Sequence, residues 1–92
     1  MNPYIDLKIF NNNDDRDIIL RTFDEDVESS EMVWHRDKKD REVKIIEGNG
    51  WMFQMDEELP KELKDGDTLF IPKETFHRVI KGTGKLVIEI RE

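Results

Sequence analysis

Every apolar run in this 92-residue chain is cut off after a few residues by glycine, asparagine, aspartate or proline. Runs that short do not complete an amphipathic helix of three turns, but they match β-strands bounded by turns. Tyr4 to Phe10 alternates apolar and polar residues and meets Asn11-Asn12-Asn13-Asp14-Asp15, whose side chains bond their own backbone in turns. Asp17 to Phe23 is a second β-branched run. Asp24 to Glu31 is acidic, carries two serines and has no period, so it reads as a solvated loop. It lacks the glycine and ligand spacing of a calcium loop.

A third strand is expected over Glu31 to His35, followed by the charged connection Arg36 to Arg41. Glu42 to Glu47 resumes alternation, and Gly48-Asn49-Gly50 then predicts a hairpin returning along Trp51 to Met55. Pro60 disqualifies Asp56 to Leu63 as a helix and leaves a turn with a short edge strand. Thr68 to Ile71, Phe76 to Ile80 and Lys85 to Arg91 complete the set, separated by turns at Lys64-Asp65-Gly66-Asp67 and Lys81-Gly82-Thr83-Gly84. About nine short strands specify an all-β sandwich or closed barrel, and residues 1–92 are expected to form one domain.

Composition narrows the function classes. Without cysteine there is no disulfide framework, thiolate zinc site or cysteine nucleophile. A formal charge of -7 disfavours nucleic acid and anionic membrane surfaces, since both demand a positive patch. No signal-peptide pattern or long apolar run is present, so a cytoplasmic location is the expectation. Ser29 and Ser30 lie in the acidic loop with no nucleophile elbow, and the glycines sit in turns rather than in a phosphate-cradling loop.

The chain has two histidines, each beside a probable strand: His35 ends one and His77 lies near the start of another. Gly66, Pro72 and His77 have the spacing of the second motif of the cupin superfamily, with Glu74 in place of its second glycine and Lys81 in place of its final asparagine. Anchored on Gly48, the first cupin motif puts Arg41 in its glutamate slot, His35 and Asp37 in its two histidine slots and Ser29 at its leading glycine. The chain thus resembles the cupins over about residues 32–90, and is similar to the short single-domain cupins of marine phages and bacteria. The resemblance implies a double-stranded β-helix, or jelly-roll, barrel. It also implies a homodimer, to which the N-terminal strand could contribute an edge, and a divalent metal such as Fe, Mn, Ni or Zn. Cupin-type activities that it brings into view are dioxygenase, isomerase and lyase.

By that resemblance His77 and His35 are metal ligands. Asp37, two residues beyond His35, shares its side of an extended strand, and two histidines with a carboxylate are the ligand set of a facial triad. Arg41 opposes a metal: a guanidinium about 6 Å from a divalent ion costs roughly 5 to 6 kcal/mol at an effective dielectric of about 20. Asp40 folding back, or Glu42 turned inward by a shift of one residue, would offer other carboxylates. Arg41, however, shares a face with Val43 and Ile45, which favours Arg41 inward. An inward Arg41 would suit a small organic acid or sugar derivative in a pocket walled by Trp34, Trp51, Phe53 and Phe76. A metal-free acid-binding module and a purely structural domain remain alternatives.

Overall fold

The computed structural model describes residues 3–9 and 17–92. The expected Asn11–Asp15 turn lies outside them. Eight strands are present among the described residues: β1 (Tyr4–Ile9), β2 (Ile18–Phe23), β3 (Arg41–Asn49), β4 (Met52–Met55), β5 (Lys61–Glu62), β6 (Thr68–Ile71), β7 (His77–Ile80) and β8 (Thr83–Arg91). They form a five-stranded sheet in the order β1-β2-β8-β3-β6 and a three-stranded sheet in the order β5-β4-β7, antiparallel throughout.

β8 is the centre of the larger sheet, pairing with β2 on one side and β3 on the other. Its alternate residues Leu86, Ile88 and Ile90 are buried, as are Val43 and Ile45 of β3 and Ile19 and Phe23 of β2. Trp51, Phe53 and Leu63 join them from the smaller sheet and its flanks to make one core. The period of two in these strands therefore sets the layer between the sheets.

Three local expectations need correction. Glu31 to His35 is not a strand: Ser29–Glu31 makes a single 3-10 turn, and only His35 then pairs, through an isolated bridge to His77. The serine-rich acidic loop offers no neighbouring ladder to extend. Second, Gly48-Asn49-Gly50 does not close a hairpin. Asn49 is the last residue of β3 and opposes Thr83, and Gly50 at φ +71 turns the chain out of the five-stranded sheet into the three-stranded one. The Asn-Gly pair supplies positive φ, which a corner between sheets uses as readily as a tight turn does. Third, Thr83 and Gly84 belong to β8 rather than to the turn before it.

β1 also faces unexpectedly. Ile5, Leu7 and Ile9 are 74%, 60% and 43% exposed, whereas Asp6 meets Arg21 of β2 on the inner side. No helix among the described residues is long and apolar enough to cross a membrane.

Candidate metal and ligand site

Two segments meet at one end of the barrel. Residues 35–40 precede β3, and residues 72–77 lead into β7. His35 and His77 exchange both backbone N–H to carbonyl bonds, at 3.0 and 2.9 Å, as an antiparallel pair does. Glu74 N–H donates to the Asp37 carbonyl at 2.7 Å, and Lys73 N–H donates to Asp40 Oδ1 at 2.8 Å. Four bonds thus fix the two segments side by side. Glu74 holds φ +61, a left-handed backbone that is strained for a residue other than glycine.

This clamp brings His35, Asp37 and His77 together, with one ligand atom from each within 4.8 Å of the others. The imidazole centroids are 4.3 Å apart, edge to face. His77 Nδ1 donates to the Thr75 carbonyl at 2.8 Å, and His35 Nδ1 donates to the Val33 carbonyl at 3.1 Å. A carbonyl only accepts, so in the neutral form of each ring Nδ1 carries the proton and Nε2 is left with a lone pair. Burial pushes the His77 imidazole below its ordinary 6.5, against the pull of its bond to Thr75; His35 and Arg41 lower it further and Asp37 raises it.

Asp37 Oδ2 lies 3.2 Å from His77 Nε2 and 3.3 Å from Arg41 Nη1, yet it is buried and makes no hydrogen bond. A neutral His77 turns a lone pair, not a proton, toward that oxygen. Two acceptors in van der Waals contact are what a shared cation relieves, and the donor set of two imidazoles and one carboxylate suits a divalent metal.

Arg41 does face inward, with Val43 and Ile45, and Glu42 is exposed on the opposite side of β3. Glu42 is therefore not a ligand of this site. Asp40 is not one either, since its carboxylate caps Lys73 N–H. Arg41 Nε donates to Glu92 Oε2 at 2.7 Å, a partner that sequence reading missed. Asp37, Glu92 and Arg41 sum to a charge of -1, so the repulsion expected between Arg41 and a metal is offset by a carboxylate arriving from beyond β8. The alternation Leu86, Ile88, Ile90 carried to Glu92 would have placed it there.

Beside the cluster opens a cavity of about 350 Å³, walled by His35, Arg41, His77, Phe53 and the aliphatic residues of both sheets. Of the four aromatics expected in its wall, only Phe53 is there, its ring 5.7 Å from that of His77. Trp34 is exposed and stacks under Arg78, and Phe76 is exposed beside Arg36. Each is the sequence neighbour of an inward histidine, so extended backbone turns it outward. Trp51 is sealed in the core against Phe23 and does not reach the cavity.

An all-β chain of two antiparallel sheets, with paired histidines at one mouth of the barrel, has the architecture of a double-stranded β-helix, and comparison with solved structures gives the same answer. The chain is similar to an RmlC-like cupin family protein with a double-stranded β-helix fold from Methanocaldococcus jannaschii, at TM-score 0.71 and 16% identity, covering 100% of this chain and 81% of that one. It is similar to a cupin-2 domain containing protein from Shewanella frigidimarina NCIMB 400, at TM-score 0.72 and 21% identity over 96% of this chain and 78% of that one. A third likeness is to cobalt(II) HppE in complex with substrate, at TM-score 0.71 and 15% identity, where 97% of this chain spans 51% of the other. No protein-family model matches the chain, and no curated protein matches it by sequence. The chain has the cupin fold.

Proposed function

We propose that this protein binds one divalent metal through His35, Asp37 and His77 and receives a small molecule with an acidic head in the adjoining cavity. The observation that carries this reading is the buried, hydrogen-bond-free Asp37 Oδ2 facing the lone pair of His77 Nε2. Both histidines already have the supporting bond that orients a ligating imidazole. The same Asp37 oxygen lies 3.3 Å from Arg41 Nη1. Commitment of that oxygen to a metal leaves the terminal edge of the Arg41 guanidinium for a carboxylate of the ligand, in the fork geometry that arginine favours. The aliphatic wall excludes water from the body of the ligand. A metal at this position would supply Lewis-acid polarisation of a bound oxygen.

Titration of chelator-treated protein with Co(II), followed by calorimetry and visible absorption, tests the reading. One ion per chain at micromolar affinity or tighter is expected. Absence of stoichiometric uptake overturns it, and small-acid binding that disappears in Arg41→Ala would then favour the metal-free alternative.

A second copy of the chain is the partner that β1 suits. Among the described residues β1 pairs only with β2, so its other edge is open, and it presents Ile5, Leu7 and Ile9 outward. Antiparallel self-pairing about a two-fold axis would set these residues against themselves. Sedimentation equilibrium at tens of micromolar should find a dimer, and Leu7→Glu a monomer. A monomeric wild type would exclude the arrangement.

A further inference from the structure

The inward positions of the larger sheet are apolar except at two poles. One is the cluster around Arg41. The other is Arg21, which β2 places between the buried Ile19 and Phe23, and which lines the same cavity. Arg21 Nε and Nη2 donate to the two carboxylate oxygens of Asp6 at 2.8 and 2.9 Å, and its guanidinium carbon lies 3.6 Å from the centroid of the Tyr4 ring. Its side chain is only 10% exposed. As a device for joining β1 to β2 this is uneconomical: apolar side chains of like size hold two strands at least as well as a buried ion pair, which must first be desolvated.

The pairing also leaves part of the guanidinium unused. Nη1 makes no hydrogen bond among the described residues, yet it is not one of the sealed polar atoms without a partner, which are Asp37 Oδ2 and Trp51 Nε1. Nη1 therefore keeps unused hydrogen-bonding capacity in a side chain that lines the cavity.

We infer that Arg21 is a second anchor for the ligand, and that the cavity takes an elongated acid: a carboxylate head at the Arg41 end, an aliphatic middle, and a second carboxylate at Arg21. This rests on the reading that a small acid enters the cavity at Arg41. The register sets the scale. Arg21 opposes Ile88, Ile88 opposes Ile45, and Arg41 lies four residues along β3 from Ile45. The two backbones are therefore about 13 Å apart along the strands and about 10 Å across them, a gap that the two long side chains shorten from both ends. Oxalate or malonate is too short to touch both anchors. The walls between them, Val43, Ile45, Ile88 and Ile90 among them, favour methylene groups.

The test is calorimetry on Co(II)-loaded protein with two series of equal chain length, linear monocarboxylates and α,ω-dicarboxylates from malonate upward. A dicarboxylate of intermediate length should bind about tenfold more tightly than its monocarboxylate. Arg21→Met should reduce that ratio to below about twofold, with a far-ultraviolet circular dichroism spectrum like that of wild type showing that the barrel is intact. Arg21→Lys, retaining a charge for Asp6 but not the fork, should give an intermediate ratio even if Arg21→Met fails to fold. Arg41→Met should weaken both series. Monocarboxylate binding with no dicarboxylate advantage, or an advantage that survives both Arg21 variants, overturns the second anchor and leaves the proposed function standing. Failure of the wild type to bind either series overturns both.

Discussion

Asp37→Ala will weaken Co(II) or Zn(II) binding about a thousandfold, measured by competition with a chelator, while leaving the far-ultraviolet circular dichroism of the barrel unchanged. A carboxylate charge about 4 Å from a divalent ion is worth roughly 8 kcal/mol at an effective dielectric of about 20, and the thousandfold loss, about 4 kcal/mol, is what remains once water takes the vacated ligand position. Asp37 also supplies one of the two negative charges that hold Arg41 beside the site, so its loss moves the local charge from -1 to zero as well as removing a ligand. Glu92→Gln makes the same change of charge without touching a ligand atom. It should cost about ten- to a hundredfold, the usual range for groups that support a ligand shell. Equal affinity in Asp37→Ala and wild type would remove Asp37 from the site. Equal affinity in Glu92→Gln would show that Arg41 does not oppose the metal.

The second large effect is on folding. Gly82, between β7 and β8, passes so close to the corner between β3 and β4 that an added Cβ would sit 2.3 Å from Trp51 N, 2.4 Å from Gly50 C and 2.5 Å from Asn49 O. All three are backbone atoms, so Gly82→Ala must separate the two connections. Trp51, fully buried in the core, is attached to one of them. A loss of about 3 kcal/mol or more is expected, which for a domain of this size lowers Tm by more than about 12 °C. Gly66→Ala is the control. Gly66 has φ +88 and open space around it, so the substitution costs only the left-handed backbone of an L residue, about 1 to 2 kcal/mol. Similar losses for the two would show that the Gly82 crossing yields easily.

These outcomes bear on how far a sequence of this kind can be read. The β architecture is legible because turn residues interrupt every apolar run, and the approach of His77 to His35 is legible from motif spacing. The inward register of Arg41 follows from its parity with Val43 and Ile45 and is found in the structure. Glu92 is another matter. Its parity with Ile90 points it inward, but its pairing with Arg41, 51 positions away, exists only once β3 and β8 are neighbours. The aromatics show the opposite error: size and apolarity suggested a pocket wall, whereas parity with the histidines sends Trp34 and Phe76 to the surface. Gly50 shows a third kind, because a residue suited to positive φ states the local conformation and not which strand the chain joins next.

The inverted face of β1 carries a consequence for how the strand finds its place. Hydrophobic pattern alone would seat β1 one residue over, with Ile5, Leu7 and Ile9 against the core and Asp6 in water, since a slip of one residue exchanges the two faces of a strand. The bidentate bond between Arg21 and Asp6 is made only in the observed register. The ion pair thus works as a key for strand alignment: it overrides the apolar pattern locally, and a chain lacking Asp6 would have two competing ways to lay down its first strand.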